Sequence, residues 1–145
     1  MTLTGRCFCG AITFAAEGKV NWVANCHCES CRRATSSPMT TWVSVPVEGF
    51  RLAGDTPARH TSSPGVTRMF CPTCGSPLSY ENTIYPGEIH LYVASLTNPE
   101  AFAPGAHVYD GERIPWFDTV DNLPRYHGTG SSGAGPVRFG PSRDL

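Results

Sequence analysis

The chain has 145 residues with 11 Lys or Arg against 12 Asp or Glu, and its formal net charge is -1. This balance leaves no basic surplus for a nucleic-acid backbone or an anionic membrane surface. Charged residues make up only 16% of a chain of single-domain length, whereas glycine and proline contribute 15 and 13 residues. The composition therefore favours short strands and turns over long solvated helices.

The order of apolar and polar residues predicts a mainly β protein with very little helix. Three segments alternate with a period of two residues, as half-buried strands do: Ile12, Phe14 and Ala16; Val43, Val45 and Val47; Ile89, Leu91 and Val93. Turn sequences between them, such as Ser63-Pro64-Gly65, favour an antiparallel meander. Helix is predicted only from Glu29 to Thr35 and from Glu100 to Ala103, the latter capped by Asn98.

The rest of the sequence yields weaker predictions. Rings in the core or a pocket wall are predicted for Trp22, Trp42, Trp116 and Phe117. His90 alternates with Ile89 and Leu91, so we expect it to be exposed. His60 and His107 are isolated, which favours a structural or solvent-facing role, with a proton shuttle as the alternative.

Neither a membrane span nor a signal peptide is predicted. No stretch approaches the ~20 apolar residues of a transmembrane helix, and the first ten residues lack an apolar run. We therefore expect a cytoplasmic protein. The sequence after Gly128 is rich in Gly, Ser and Pro, and we expect a dispensable tail without chemistry.

Seven cysteines are the unusual feature of the composition. An odd number of clustered thiols in a reducing compartment indicates metal binding rather than disulfides. Two pairs, each followed by glycine, supply four thiolates, enough to close a tetrahedral structural zinc site: Cys7 and Cys9, Cys71 and Cys74.

A third group, Cys26, Cys28 and Cys31, brings three thiols into six residues. Three protein ligands and one open position are typical of a catalytic zinc site. Three thiolates on a divalent cation carry a net charge of about -1, which suits the ion to a soft thiolate from a substrate. Arg32 and Arg33 follow, and they either bind a substrate carboxylate or complement the helix dipole.

Other interpretations of these cysteines remain open from the residues alone. Cys28-x-x-Cys31 and Cys71-x-x-Cys74 also have the spacing of a zinc ribbon. His27 is an alternative fourth ligand, although an extended backbone turns it away from the face of its two neighbours. A redox motif is disfavoured because a strand-turn-helix context is absent.

The ordered motifs of the sequence resemble the glutathione-dependent formaldehyde-activating enzyme family, which includes centromere protein V. The resemblance rests on Cys7-x-Cys9-Gly10, Cys26-His27-Cys28-x-x-Cys31-Arg32-Arg33, Cys71-x-x-Cys74-Gly75, and His107-Val108-Tyr109 with Pro115-Trp116-Phe117. It spans residues 3–126 as one zinc domain and leaves 127–145 as the tail. The resemblance implies a β-tent fold of antiparallel sheets with two zinc ions.

In the family pattern the ion held by Cys7, Cys9, Cys71 and Cys74 is structural, and the ion held by Cys26, Cys28 and Cys31 is catalytic. The implied reaction is a carbon-sulfur lyase reaction in its synthetic direction, in which glutathione adds to formaldehyde and gives S-(hydroxymethyl)glutathione. Either the zinc holds the thiolate or it polarises the carbonyl. The alternatives are another thiol and electrophile on the same fold, or a non-catalytic zinc module that docks a partner.

Overall fold

The computed structural model describes residues 1–141. Over these residues the chain forms one α-helix, α1 (Glu29–Thr35), and twelve strands. The strands are β1 (Thr2–Arg6), β2 (Ile12–Glu17), β3 (Trp22–Cys26), β4 (Thr40–Pro46), β5 (Phe50–Gly54), β6 (Ala58–Ser63), β7 (Val66–Phe70), β8 (Pro77–Asn82), β9 (Glu88–Tyr92), β10 (His107–Val108), β11 (Pro124–Arg125) and β12 (Arg138–Phe139). The mainly β prediction is confirmed. None of the described helices is both long and apolar enough to cross a membrane.

The chain divides into two compact units. The first unit comprises Met1–Trp22 and Trp42–Ala103, and the second comprises Val23–Thr41 together with the chain from Pro104 onward. The four-cysteine motif falls in the first unit and the three-cysteine motif in the second. Each candidate site can therefore be described within a single unit.

The first unit contains the predicted antiparallel strands. One sheet has the order β1-β2-β5, and a longer run of strands has the order β4-β9-β8-β7-β6. Ile12, Phe14 and Ala16 are buried as their alternation predicts. Val43 and Val45 are buried as well, but the strand ends at Pro46, and Val47 begins a short 3-10 turn.

His90 is buried, with 6% of its surface exposed, so the prediction that it lies in solvent is wrong. Strand β9 is covered on both faces, because the face opposite Ile89 and Leu91 packs against aromatic rings. The ring centroid of Trp22 lies 4.6 Å from that of His90, and Glu88 Oε2 lies 3.1 Å from His90 Nε2. Alternation detects an apolar face, but it does not detect a polar residue that aromatic neighbours bury.

Two other local predictions change in detail. The segment after Asn98 is a single 3-10 turn, Pro99–Ala101, and the Asn98 side chain makes no capping hydrogen bond. Trp42 lies in the core as predicted, whereas Trp116 is 72% exposed.

The second unit is built on a parallel strand pair, which an antiparallel meander does not predict. Strand β10 pairs in parallel with β3, placing His107 opposite Asn25 and Val108 opposite Cys26. It also pairs in parallel with β11, which places Arg125 on the other side of His107. This pairing brings His107 beside the cysteine motif that follows β3.

The chain after residue 127 contributes to the second unit. Strand β12 pairs with β11, and the fully buried Arg125 donates from Nε to the Gly140 carbonyl. Arg138 forms ion pairs with Asp110 at 2.7 Å and with Asp118 at 3.1 Å. These contacts argue against the expectation that this segment is dispensable.

We predict that truncation after Gly128 lowers the unfolding temperature of the zinc-loaded protein by more than about 5 °C. Truncation removes Arg138 from Asp110 and Asp118 and the Gly140 carbonyl from the buried Arg125. Such hydrogen bonds to charged groups are worth about 1.5 to 3 kcal/mol each, and 1 kcal/mol corresponds to roughly 2 to 4 °C at about this chain length. Differential scanning calorimetry measures the shift. Phe139→Ser serves as the control, because this ring is exposed and its loss should change the midpoint by less than about 2 °C. An unchanged midpoint on truncation would show that the segment after Gly128 is dispensable for stability.

Candidate metal centres and the residues around them

The four-cysteine cluster lies in the first unit, where Cys7 and Cys9 follow β1 and Cys71 and Cys74 follow β7. The Sγ atoms of Cys7 and Cys9 are 3.6 Å apart, and those of Cys9 and Cys71 are 3.8 Å apart. A tetrahedral ion with Zn–S bonds of about 2.3 Å separates its sulfur ligands by about 3.8 Å. The donor set and its spacing therefore fit one tetrathiolate-bound ion.

The backbone at each pair bends as the following glycine allows. Gly10 and Gly75 have φ values of +81° and +76°, a left-handed conformation that favours glycine. Each closes a turn, since Gly75 N–H donates to the Cys71 carbonyl at 2.8 Å. Backbone hydrogen bonds from Cys9 and Ser76 lower the pKa of the Cys74 thiol to about 6, which favours the thiolate that binds a metal.

The three-cysteine cluster lies in the second unit, where β3 ends and α1 begins. Cys26 is the last residue of β3, Cys28 is the N-cap of α1, and Cys31 lies in its first turn. Cys28 Sγ accepts a hydrogen bond from Cys31 N–H at 3.3 Å. The predicted helix from Glu29 to Thr35 is confirmed at both ends.

Within residues 1–141, the grouping is four thiols in one cluster and three in the other. The ligand atoms of each cluster lie within 4.8 Å of one another, so either cluster could hold a metal ion. The zinc-ribbon pairing does not occur. The neighbouring thiols of Cys28 and Cys31, together with burial, raise the pKa of Cys26. A cation at this cluster would lower the pKa of the three thiols, because it stabilises all three thiolates.

His27 does not join the thiols of this cluster. Its Nε2 lies 2.8 Å from Nδ1 of His107, and the two rings stack at a centroid distance of 5.1 Å. Burial, and then the neighbouring His107, lower the pKa of His27 to about 4. The alternative in which His27 is the fourth ligand is therefore disfavoured.

The structure places two residues that the sequence analysis missed, Asp121 and Thr119, against the buried His107. His107 Nε2 lies 3.0 Å from Asp121 Oδ2, and the Thr119 hydroxyl donates to the same oxygen at 2.6 Å. Burial alone would raise the pKa of Asp121, but the hydrogen bonds from Thr119 and His107 lower it to about 2. The parallel pairing of β10 with β3 brings His107 beside the end of β3, and no local pattern in the sequence signals that pairing.

The two arginines after the cluster have different surroundings. Arg32 donates from Nε to the His27 carbonyl and from Nη2 to the Glu112 carbonyl, each at 3.2 Å, and so ties the two segments together. Arg33 is mostly exposed and forms an ion pair with Glu29 at 2.8 Å. An exposed i,i+4 pair is worth about 0.3 to 0.5 kcal/mol, so Arg33 can exchange this partner for another anion at small cost.

The family model for glutathione-dependent formaldehyde-activating enzymes matches residues 2–112. The chain belongs to this family. A Schizosaccharomyces pombe protein named as an uncharacterized lyase is 32% identical over 79 residues, which are 54% of this chain and 57% of that protein. The similarity thus spans little more than half the length of that relative. The predicted family is confirmed.

A crystal structure of a Rhodobacter sphaeroides protein has a similar fold. Its TM-score is 0.56 at 22% identity, over 65% of this chain and 87% of that one. This likeness concerns the fold alone. The β-tent description and the boundary between residues 126 and 127 stay predictions.

We predict that the two clusters differ in their effect on stability. Cys71→Ser should prevent folding, because an opened structural zinc site forfeits energy on the scale of about 10 to 16 kcal/mol. Cys28→Ser should fold and retain one zinc ion per chain. Elemental analysis and thermal unfolding of the purified variants measure both effects. Equal destabilisation by the two substitutions would contradict the assignment of structural and catalytic roles.

Proposed function

We propose that this chain is a zinc-dependent carbon-sulfur lyase-type enzyme that adds a thiol, glutathione or a similar one, to formaldehyde or a related small aldehyde. The observation that supports it is the unequal size of the two cysteine clusters in residues 1–141, four thiols against three. Four thiols complete a tetrahedral site, whereas three leave one position for a substrate. The family match and the lyase name of the relative support the same reaction class.

We assign Cys26, Cys28 and Cys31 to a catalytic zinc ion, and Cys7, Cys9, Cys71 and Cys74 to a structural one. A zinc ion at the three-cysteine cluster supplies, when bound, a position at which a substrate thiol loses its proton. Cys26 and Cys31 are buried while Cys28 is partly exposed. Substrate therefore approaches from the side of Cys28, at the start of α1.

The reaction balances without an oxidant or a reductant. The thiol sulfur forms a bond to the aldehyde carbon, the carbonyl π bond breaks, and the thiol proton ends on the oxygen as a hydroxyl. Holding both reactants at one site replaces a bimolecular encounter. In this proposal the chain contributes the three thiolates and the cationic side chains beside them.

Arg33 is the better candidate of the two arginines for a substrate carboxylate, since Arg32 is held by two backbone carbonyls. A guanidinium binds a carboxylate through two parallel hydrogen bonds. Glutathione offers two carboxylates, so its recognition by Arg33 agrees with the proposed substrate. We also propose a cytoplasmic location, where glutathione keeps thiols such as these reduced.

The test combines isothermal titration of glutathione into the zinc-loaded protein with formaldehyde turnover followed by magnetisation-transfer NMR. We expect the wild type to bind glutathione and to accelerate the addition. Arg33→Ala should weaken binding about tenfold, the loss of ~1.4 kcal/mol, and Arg32→Ala should weaken binding and also lower stability. Arg59→Ala is the matched control, because Arg59 also forms an exposed ion pair, with Glu81 at 3.7 Å.

The outcomes separate the competing functions. No glutathione binding and no acceleration by the wild type would contradict the proposal and favour a non-catalytic zinc module. Binding without formaldehyde turnover would assign the site to another electrophile. Unchanged binding in both Arg32→Ala and Arg33→Ala would remove these arginines from the substrate site.

A further inference from the structure

A series of hydrogen bonds lies in the second unit beside the three-cysteine motif. It runs from Asp121 to His107 at 3.0 Å and from His107 to His27 at 2.8 Å. Both histidines are fully buried. Its last member, His27, is the residue between Cys26 and Cys28, and so belongs to the backbone segment that carries two of the three thiols.

The positions of the hydrogens in this series follow from its first member, the carboxylate of Asp121. An ionised carboxylate only accepts hydrogen bonds. The Thr119 hydroxyl lies 3.2 Å from His107 Nε2 but donates its one proton over the shorter distance of 2.6 Å to Asp121 Oδ2, so it does not supply a proton to His107. His107 must therefore donate from Nε2. Because burial disfavours a charged ring, Nδ1 of His107 keeps its lone pair and accepts from Nε2–H of His27.

Other contacts hold the Asp121 carboxylate at the start of the hydrogen-bond series. Its Oδ1 accepts from the Leu123 N–H at 3.0 Å and lies 3.4 Å from Nη1 of Arg125. Donors thus face both oxygens of Asp121. Reversal of the hydrogen bonds would require a donor at Oδ2, which a carboxylate does not offer.

The far end of this hydrogen-bond series has no partner among residues 1–141. Nδ1 of His27 is buried and makes no hydrogen bond within this part of the protein. In a neutral ring that donates from Nε2, this nitrogen carries a lone pair and is an acceptor. A buried acceptor without a donor costs about 1 to 3 kcal/mol, so the position favours a hydroxyl donor that is not among the described residues.

We propose that Asp121 is a positioning residue for the three-cysteine site: through His107 it orients His27 so that Nδ1 accepts a hydrogen bond from a hydroxyl group. A bound water and the hydroxyl of the product both have this chemistry. Asp121 thereby sets the direction of both hydrogen bonds in the series from Asp121 through His107 to His27. The inference rests on the proposed function only for its kinetic test.

The substitution Asp121→Asn tests the proposal directly, because it should reverse the direction of the hydrogen bonds. The amide of Asn must direct its NH2 group either toward the Leu123 N–H and Arg125, which are donors, or toward Thr119 and His107. Only the second arrangement avoids facing donors, because a hydroxyl and an imidazole nitrogen can both accept. His107 would then accept at Nε2 and donate from Nδ1, and His27 would donate from Nδ1.

Long-range 15N–1H correlation spectra of the zinc-loaded, ring-labelled protein report which nitrogen of each histidine carries the proton. We expect Nε2–H on both His27 and His107 in the wild type, and Nδ1–H on both in Asp121→Asn. Thr119→Val keeps the carboxylate, so its tautomers should match the wild type. Glu88→Gln is the matched control in the first unit, where Glu88 pairs with His90, and it should leave His27 and His107 unchanged.

Addition of glutathione and formaldehyde distinguishes the two hydroxyl sources. A change in the His27 Nδ1 shift only when both are present identifies the product, and a hydrogen-bonded shift in all samples identifies water. In Asp121→Asn we expect kcat for the addition to fall at least tenfold, with KM within about twofold and two zinc ions retained. Thr119→Val should keep kcat within about threefold.

Several results would overturn the inference. Nδ1–H on His27 in the wild type would contradict it without any variant and whether or not the protein turns over formaldehyde. Unchanged tautomers in a folded Asp121→Asn protein would show that Asp121 does not set them. Inverted tautomers with unchanged kcat in an active protein would remove the acceptor from the reaction.

Discussion

The structure depends on one constraint: thiolates lie close together only where a cation shares their charge. Sulfur atoms 3.6 and 3.8 Å apart in the four-cysteine cluster repel one another when ionised. The same cluster joins turns that are 62 residues apart, Cys9 and Cys71, so an ion bound there would close a long loop of the first unit. Its binding would then be coupled to the folding of that unit.

In the second unit, local structure alone brings the thiols together. Its three thiols lie within six residues, and the first turn of α1 places them, with Cys28 as the N-cap. A site formed this way does not need to close a long loop. The second unit also contains buried polar contacts, among them the ion pair of Arg125 with Asp118 at 3.2 Å. This difference is why we assign folding to one cluster and chemistry to the other.

The parts of the molecule that local sequence determines were predictable. Helix α1 has the predicted ends because a cysteine N-cap and a left-handed Ser36 bound it. The division of the cysteines into four and three followed from their spacing, since each pair or triplet sits in one turn. The alternation of Ile12 and Phe14 predicted their burial for the same reason.

Features that depend on contacts distant in sequence were not predictable. The parallel pairing of β10 with β3 joins residues 82 apart, such as Asn25 and His107, and a two-residue strand has no pattern to announce it. The burial of His90 depends on rings from other strands. Asp121 became visible as a candidate only when the fold placed it against His107.

We infer that one metal ion binds to four protein thiolates and that the other binds to three, with a position for a substrate thiol. Zinc X-ray absorption of the loaded protein measures the average number of sulfur ligands per ion. We expect about 3.5 sulfurs per zinc without thiol, rising to about 4 with saturating glutathione. A value of 4 before glutathione is added, or no change on its addition, would contradict it.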